Sequence, residues 1–242
     1  IVVLAGQDRV FEWKGGAFAF EGGHEADWGS RMLDVVGYVN APQVQHSKVT
    51  RTYGPAFRDA GCYGMSYWGV TVARLENDSS NSQLGYGITT ASAFTKVFGS
   101  HFYDTRHGFT TNQTLLRVLS NETDVNRIVG SVMVESPKVT ACTATGHGEQ
   151  APFDTHHGSV NATFTDCTAY GSDVNTGFAL RGIGHVLNNP KVRGCGRAVF
   201  AFTEFDSGDP DDDPFLASNL ARYLTNVTIN NPDFEADGLL ID

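Results

Sequence analysis

The stretch between His147 and Gly158 is the densest group of side chains that could do chemistry. It holds three of the eight histidines and two carboxylates. Alternate side chains of an extended segment share a face, so Asp154 and His156 are expected to point one way and His157 the other. The candidate catalytic residues are Glu149, Asp154, His156, His157 and Arg181, the last standing 24 residues after His157.

Two reactions could use these side chains. Hydrolysis of a glycosidic bond needs two carboxyl groups about 5 to 9.5 Å apart. The available pairs are Asp154 with Glu149 or Asp166, and Glu204 with Asp206. β-Elimination at a uronic acid needs a cation for the enolate and a base near the C5 proton, which fits Arg181 with His156 or His157. A third interpretation is that the histidines only fasten neighbouring parts of the backbone by hydrogen bonds.

The chain repeats itself at about 25 residues, and this period indicates how the candidate side chains are positioned. Cys142, Cys167 and Cys195 stand in matching local frames, separated by 25 and 28 residues. The segment Asp104-Thr105-Arg106-His107-Gly108 recurs fifty residues later as Asp154-Thr155-His156-His157-Gly158. Two periods of 25 predict that these segments share columns on coils two apart.

Apolar runs of three to five residues, separated by Gly, Asn, Asp or Pro, predict short strands, because helices usually need ten or more residues. A 25-residue unit is too short for a propeller blade, and the regular leucines of a leucine-rich repeat are missing. Three short parallel strands per repeat fit one coil of a parallel β-helix, in which successive coils stack about 4.8 Å apart. The expected fold is all-β, with about seven to nine coils of about 21–28 residues. It accounts for 27 glycines and only 18% charged residues.

The repeat also suggests a division of the chain. Residues 1–40 have no clear coil register and do not begin with Met, so we expect a cap or the continuation of a preceding module. Residues 41–242 are expected to form the β-helix domain, with a long acidic excursion at 206–224. A helical pattern at 214–224 lies inside that excursion.

A polar strip along one side of a solenoid is a surface on which an extended polymer can lie. The expected glycan-binding residues on this strip are Asp104, Arg106, His107 and His147. A net charge of −10 argues against a nucleic-acid partner, since phosphate binding needs clustered cations. No apolar run approaches the 18 residues of a membrane span, so none is expected.

The remaining motifs are interpreted as structural. Cys142, Cys167 and Cys195 are expected to form one column of buried free thiols, because no zinc-type pairing of cysteines is present. We therefore expect no metal and no cofactor. Five Asn-x-Ser/Thr sequons, against about two expected by chance, allow either glycosylation or alternating Asn and Thr on strands; they begin at Asn77, Asn112, Asn121, Asn161 and Asn226. The aspartates between 206 and 213 predict a solvated loop rather than a calcium site.

Several segments together resemble bacteriophage tailspike proteins of the pectate-lyase-like β-helix class. They are Ala60-Gly61-Cys62-Tyr63, Gly85-Tyr86-Gly87-Ile88, Arg106-His107-Gly108-Phe109-Thr110-Thr111, Asp154-Thr155-His156 and Phe178-Ala179-Leu180-Arg181-Gly182. The resemblance covers roughly residues 50–235. It implies a right-handed, single-stranded parallel β-helix that assembles as a homotrimer with other virion tail proteins. Such a protein is made in the bacterial cytoplasm and acts outside the cell on a polysaccharide of the host surface.

Phe153-Asp154-Thr155-His156 also resembles the Phe-Asp-Pro-His segment of alginate C5-epimerases, which share this fold. In that family the Asp and His are catalytic, with a Tyr just upstream and an Arg on a later coil. Ala151 stands at the tyrosine position here and Thr155 replaces the proline, so the resemblance carries over only Asp154, His156 and Arg181.

The first functional hypothesis is a tailspike or tail-fibre β-helix that binds a bacterial surface polysaccharide and depolymerises it as an endo-acting glycoside hydrolase. The first alternative is a polysaccharide lyase or uronate epimerase on the same fold. The second is a non-catalytic structural or adhesive β-helix of the virion tail.

Overall fold

The computed structural model describes residues 2–4, 12–15, 17–19, 33–37, 41–52, 55–74, 85–111, 134–147, 150–156, 159–201 and 226–236. Within these ranges all regular secondary structure is β-strand, in 26 short strands. Most of them form three parallel sheets of eight strands each, named A, B and C in the order in which the chain enters them. In this part of the chain no helix is long and apolar enough to cross a membrane.

Apart from two extra strands given below, each sheet takes every third strand in chain order. Sheet A contains β1 (Val2–Leu4), β4 (Leu33–Val36), β7 (Pro55–Tyr63), β10 (Tyr86–Ala93), β13 (Phe109–Thr111), β17 (Phe153–Asp154), β21 (Thr176–Leu180) and β24 (Arg197–Ala201). Sheet B contains β2 (Glu12–Lys14), β5 (Gln43–Gln45), β8 (Ser66–Trp68), β11 (Lys96–Phe98), β15 (Lys138–Thr140), β19 (Thr163–Thr165), β22 (Val186–Asn188) and β25 (Thr228–Asn230).

Sheet C completes each coil. It contains β3 (Ala17–Ala19), β6 (Lys48–Thr52), β9 (Thr71–Arg74), β12 (His101–Thr105), β16 (Thr143–Gly146), β20 (Thr168–Tyr170), β23 (Lys191–Cys195) and β26 (Asp233–Ala236). A separate pair, β14 (Val134–Glu135) and β18 (Ser159–Val160), lies between sheets A and B.

The described strands therefore form eight coils, each running from sheet A through B to C. Every strand pairs in parallel with its equivalent one coil away, which is the defining arrangement of a parallel β-helix. The predicted fold class is confirmed, and the expected seven to nine coils agree with the eight that are described. Strands β1 to β4, all within residues 1–40, pair into the same three sheets. The proposed division of the chain at residue 40 stays a prediction.

The described corners between sheets A and B and between sheets B and C use a left-handed backbone conformation, and this explains much of the composition. Between sheets B and C the corner residues with positive φ are Gly15, His46, Gly69, Gly99, Ala141, Asp166, Asn189 and Asn231. Between sheets A and B they are Ala41, Gly64, Phe94, Ser136, Asn161, Gly184 and Asn226. Gly and Asn adopt this conformation most readily. Two of the five sequons thus begin with an asparagine that the corner itself favours; their glycosylation stays a prediction.

The core is a set of stacked columns, each contributed by one sheet. Sheet A supplies the buried Phe57, Ile88, Phe109, Phe153, Phe178 and Val199 from successive coils. The rings of Phe153 and Phe178 stack with centroids 5.1 Å apart, and both meet Phe164 of sheet B edge-on. Fully burying such a side chain contributes about 1.5–3 kcal/mol to the free energy of unfolding. Because the buried side chains come from successive coils, this stabilisation is distributed along the axis.

The expected column of three cysteines is wrong in its third member. All four cysteines are buried and free, and Cys142 lies above Cys167 because the residues after them, Thr143 and Thr168, are paired. Thr168 pairs in turn with Lys191, so Pro190 follows in that column. Cys195 instead ends β23 in sheet C, because the same short apolar-to-thiol pattern fits two different corners of a coil.

Candidate functional site

Asp154 is the centre of the candidate site. It ends β17 directly after the inward-pointing Phe153, so its carboxylate lies on the outer side of sheet A, yet it is completely buried. Arg181 Nη1 donates to Oδ1 at 2.7 Å, and Thr110 Oγ1 donates to Oδ2 at 2.7 Å. Burial alone would raise the pKa of Asp154, but Arg181, His156 and His107 outweigh it and hold that pKa well below the usual value. The carboxylate therefore stays ionised.

His156 is the member of the group that reaches solvent. Its Nε2 lies 3.1 Å from Asp154 Oδ2, and its side chain is 35% exposed. Its backbone N–H donates to Thr111 Oγ1 at 2.7 Å, which fixes the turn after β17. With Nε2–H donating to Asp154, the lone pair lies on Nδ1, and no hydrogen bond from the described residues occupies that atom. The predicted sharing of one face by Asp154 and His156 agrees with this geometry.

Arg181 is positioned by its backbone as well as by its side chain. Its N–H donates to Thr155 Oγ1 at 2.8 Å, and its carbonyl accepts from the same hydroxyl at 2.9 Å. The carbonyl also accepts from His185 Nε2 at 2.7 Å. Ala162 N–H donates to the other ring nitrogen of His185, and burial lowers the pKa of this histidine. A neutral, buried histidine therefore fixes the turn that carries Arg181.

His107 approaches Asp154 from the preceding coil. Its Nδ1 donates to the carbonyl of Ala151 at 2.6 Å, and its Nε2 lies 4.0 Å from Asp154 Oδ2. Burial lowers the pKa of His107 to about 4, so the ring is neutral near pH 7. Its ring meets that of His156 edge-on, with centroids 6.4 Å apart.

Tyr86 was not among the predicted site residues. Its ring packs 5.5 Å from that of His107, and Arg106 Cζ lies 5.2 Å from its centroid. Burial raises the pKa of Tyr86, which keeps the phenol protonated. In the sequence it stands between two glycines, in the segment Gly85-Tyr86-Gly87-Ile88 that resembles tailspike proteins. In the structure a Cβ added at Gly87 would lie 2.2 Å from the carbonyl oxygen of Gly108. A close approach of coils therefore brings Tyr86 to the site.

The predicted binding residues fall into two places. His147 Nδ1 lies 2.7 Å from Asp104 Oδ1 in a partly exposed pair at the end of sheet C. Arg106 and His107 lie on the turn from sheet C to sheet A, next to Asp154. The structure therefore brings Asp104 and His147 together, and separately places Arg106 and His107 beside the catalytic candidates.

The expected two-coil separation of the repeated segments is wrong. Strand β13 pairs directly with β17, so Thr110 is the neighbour of Asp154 although 44 positions separate them. Residues 112–133, between β13 and β14, lengthen this single coil. Asp104 lies in sheet C and Asp154 in sheet A, so these two residues do not share a column as the repeat predicted.

Several predicted residues do not join the site or lie outside the described ranges. Asp166 is at the corner between sheets B and C, where its carboxylate accepts from Asn189 Nδ2 at 2.8 Å, so the expected pairing with Asp154 is wrong. The remaining candidates lie outside the described residues: Glu149, His157, Glu204 and Asp206. The same holds for the acidic excursion at 206–224 and its helical pattern.

No protein-family model matches the chain. Its structure is similar to the crystal structure of the tailspike protein gp49 from Pseudomonas phage LKA1, with a TM-score of 0.56 and 18% sequence identity. The similarity covers 79% of this chain but only 29% of the tailspike, so the chain spans less than a third of that protein's length. At this identity the likeness concerns the fold. The chain therefore has the parallel β-helix fold of a phage tailspike, as the sequence resemblance implied.

Proposed function

We propose that the chain binds a bacterial surface polysaccharide along the outer side of sheet A and cleaves it by β-elimination at a uronic acid residue. The observation that carries this proposal is the Asp154–His156 pair, in which a buried carboxylate orients a half-exposed imidazole. The ring nitrogen turned away from Asp154 is then a base that a bound sugar can reach.

The reaction needs a base, a group that stabilises charge and an acid. His156 Nδ1 takes the C5 proton of the uronate, and the negative charge that develops on its carboxylate is stabilised by Arg181. The C4–O4 bond then breaks, leaving a C4=C5 double bond on one fragment. Tyr86, protonated and packed on His107, is the donor that returns a proton to the departing oxygen.

Hydrolysis has less support from the same residues. A hydrolase needs one protonated carboxyl group as its acid, and Asp154 is held ionised. Both of its oxygens already accept hydrogen bonds, from Arg181 and Thr110. Among the residues that the structure describes, the geometry therefore favours the lyase alternative over the hydrolase expected from the sequence; Glu149, Glu204 and Asp206 lie outside them.

The wider binding surface and the assembly belong to the same proposal. The Asp104–His147 pair and Arg106 would contact further sugar units beyond the cleaved one. The likeness of the fold to a tailspike supports the proposal of a place in a virion tail. The homotrimer and the other tail proteins are proposed from the sequence resemblance.

A cleavage assay on capsular and lipopolysaccharide glycans tests the reaction. We expect new reducing ends together with the ultraviolet absorbance of an unsaturated uronate. His156→Gln should lower the rate about 10²–10⁴-fold, as loss of a general base does, and Arg181→Lys should also lower it. His101→Gln is the matched control, because His101 lies on sheet C, where it bonds Thr143.

Each other outcome contradicts a stated part of the proposal. Reducing ends without that absorbance would indicate hydrolysis. Binding with no product from a broad panel would leave an adhesive β-helix.

A further inference from the structure

We propose that His107, Asp154 and His156 form a binding site for a divalent transition-metal ion, and that the bound ion prevents His156 from acting as a base. The ion would be held by Nε2 of both histidines and by Oδ2 of Asp154. The first half of this inference stands on geometry alone. The second half rests on the proposed elimination reaction.

The three ligand atoms lie close to the spacing that a small metal ion requires. They all lie within 4.8 Å of one another, with 3.1 Å between His156 Nε2 and Asp154 Oδ2 and 4.0 Å between His107 Nε2 and the same oxygen. Metal–ligand bonds of about 2.0–2.2 Å imply separations near 3.4 Å in a tetrahedral site. Two of the three separations lie on either side of that value, and the third, between the two histidine nitrogens, is at most 4.8 Å. Shifts of the side chains by about 1 Å would therefore complete the site.

His107 is prepared as a metal ligand by its second contact. Because Ala151 contributes a carbonyl, the Nδ1 atom of His107 must carry the proton that is donated to it. The lone pair of the neutral ring is then on Nε2, 4.0 Å from Asp154 and too far for a hydrogen bond. Histidines that bind metals are usually oriented in this way, by donating their other N–H to a carbonyl or a carboxylate.

The surrounding charges indicate which ions would bind. Asp154 supplies one negative charge, and Arg181 already neutralises part of it through Oδ1. The hard ions Ca²⁺ and Mg²⁺ prefer more carboxylate and carbonyl oxygens than this site offers. Two imidazole nitrogens with one carboxylate oxygen favour Zn²⁺, Co²⁺, Ni²⁺ or Cu²⁺.

Metal binding and base catalysis use opposite tautomers of His156. As a base, the ring donates Nε2–H to Asp154 and keeps its lone pair on Nδ1. As a metal ligand, it gives the Nε2 lone pair to the ion and carries its proton on Nδ1. One imidazole cannot do both, so the ion would inhibit the elimination.

The binding half is tested on the tag-free native chain with Co²⁺, whose visible absorbance reports its ligands, and with Zn²⁺ by calorimetry. We expect one equivalent to bind and the melting temperature to rise. His107→Gln and, separately, His156→Gln should each weaken binding at least tenfold, whereas His101→Gln should not. The use of two variants guards against a folding defect in either one. No binding, or binding unaffected by both variants, would overturn the site.

The inhibition half is tested by adding Zn²⁺ to the cleavage assay. We expect the rate to fall in proportion to the occupancy measured by calorimetry. If the ion binds but cleavage continues, the inhibition is refuted and so is the assignment of His156 as the base, while the metal site stands. If the ion does not bind, the metal site is refuted and the cleavage assay still decides the function.

Discussion

Asp154 is completely buried and negatively charged, and its neighbours stabilise that charge. An unpaired buried carboxylate would neutralise itself, but Arg181 and Thr110 bind its two oxygens. The sequence predicted Asp154 and His156 on one face, because side chains alternate along an extended segment. It did not predict Thr110 or Tyr86, because their contacts depend on which coils are adjacent. Which coils are adjacent depends on loop lengths and on glycines that let coils approach closely, and neither recurs with the 25-residue period.

At the residue scale, Asp154→Asn should abolish cleavage and also lower the free energy of unfolding by about 3 kcal/mol. The reason is that removing one partner of a buried ion pair leaves the other, Arg181, without compensation. Urea unfolding measures the second effect. Thr110→Val is the comparison, since it removes one hydrogen bond to the same carboxylate and should lower stability by about 1–2 kcal/mol. Equal stability of Asp154→Asn and the native chain would show that the pair contributes nothing.

At the scale of the strands and turns, the left-handed corners decide where each coil bends. The frequent Gly and Asn of the sequence indicated turns, but not that the turns occupy fixed columns. At the B-to-C corner, Asn189 adds a second function, because its amide donates to Asp166 at 2.8 Å and its oxygen accepts from Asn231 at 3.3 Å. Such ladders are the polar counterpart of the core columns.

Substitutions at Asn189 separate these two contributions. Asn189→Gly should lose only the ladder hydrogen bonds, because glycine accepts the left-handed backbone freely. Asn189→Ala should lose the same bonds and add a strain of about 1 kcal/mol, since residues with a side chain, other than Asn and Asp, resist this conformation. Thermal unfolding should therefore rank the native chain above the Gly variant and the Gly variant above the Ala variant. An Ala variant as stable as the Gly variant would contradict the strain argument.

Asp59 is a second buried carboxylate and it lies inside the coil, where it joins β7, β8 and β10. It accepts hydrogen bonds from Tyr67 at 2.9 Å and from Thr90 at 2.7 Å. Burial raises the pKa of Asp59, although the surrounding hydroxyls partly oppose it. A raised pKa means that the folded chain binds a proton more tightly than the unfolded chain, so this group loses stabilising effect as the pH rises.

The free energy of unfolding of Asp59→Asn should therefore increase relative to that of the native chain as the pH is raised above about 4, where the unfolded carboxyl ionises. The difference in unfolding free energy should change by up to about 1.4 kcal/mol per pH unit until the folded carboxyl also ionises. Denaturant unfolding between pH 4 and pH 8 measures it. A difference that does not depend on pH would show that Asp59 titrates alike in both states.

At the scale of the whole molecule, the repeat and the composition were enough to predict the parallel β-helix. They were not enough to number the coils between the two polar segments, because one coil is lengthened to 44 positions by residues 112–133. A period read from motifs assumes equal coils. The core tolerates unequal ones, because only the strands have to pair with the neighbouring coils.

Phe153 connects the core to the site, so its truncation should affect both. Phe153→Ala should lower the free energy of unfolding by about 3–5 kcal/mol, as emptying a packed aromatic position usually does. It should also lower cleavage, because the next residue is Asp154. Phe164→Ala is the control, since Phe164 packs on the same ring from sheet B and adjoins no site residue. Equal losses of cleavage in the two variants, at matched stability, would contradict a direct connection.

The four buried thiols are also natural probes of how the coils of this solenoid open. Cys62, Cys142, Cys167 and Cys195 belong to the third, fifth, sixth and seventh of the eight described coils, and each is enclosed by the stack. An alkylating reagent reaches such a thiol only when its own coil opens. Four equal labelling rates would mean that the coils open together, whereas four different rates would rank the coils by local stability, without any engineered probe.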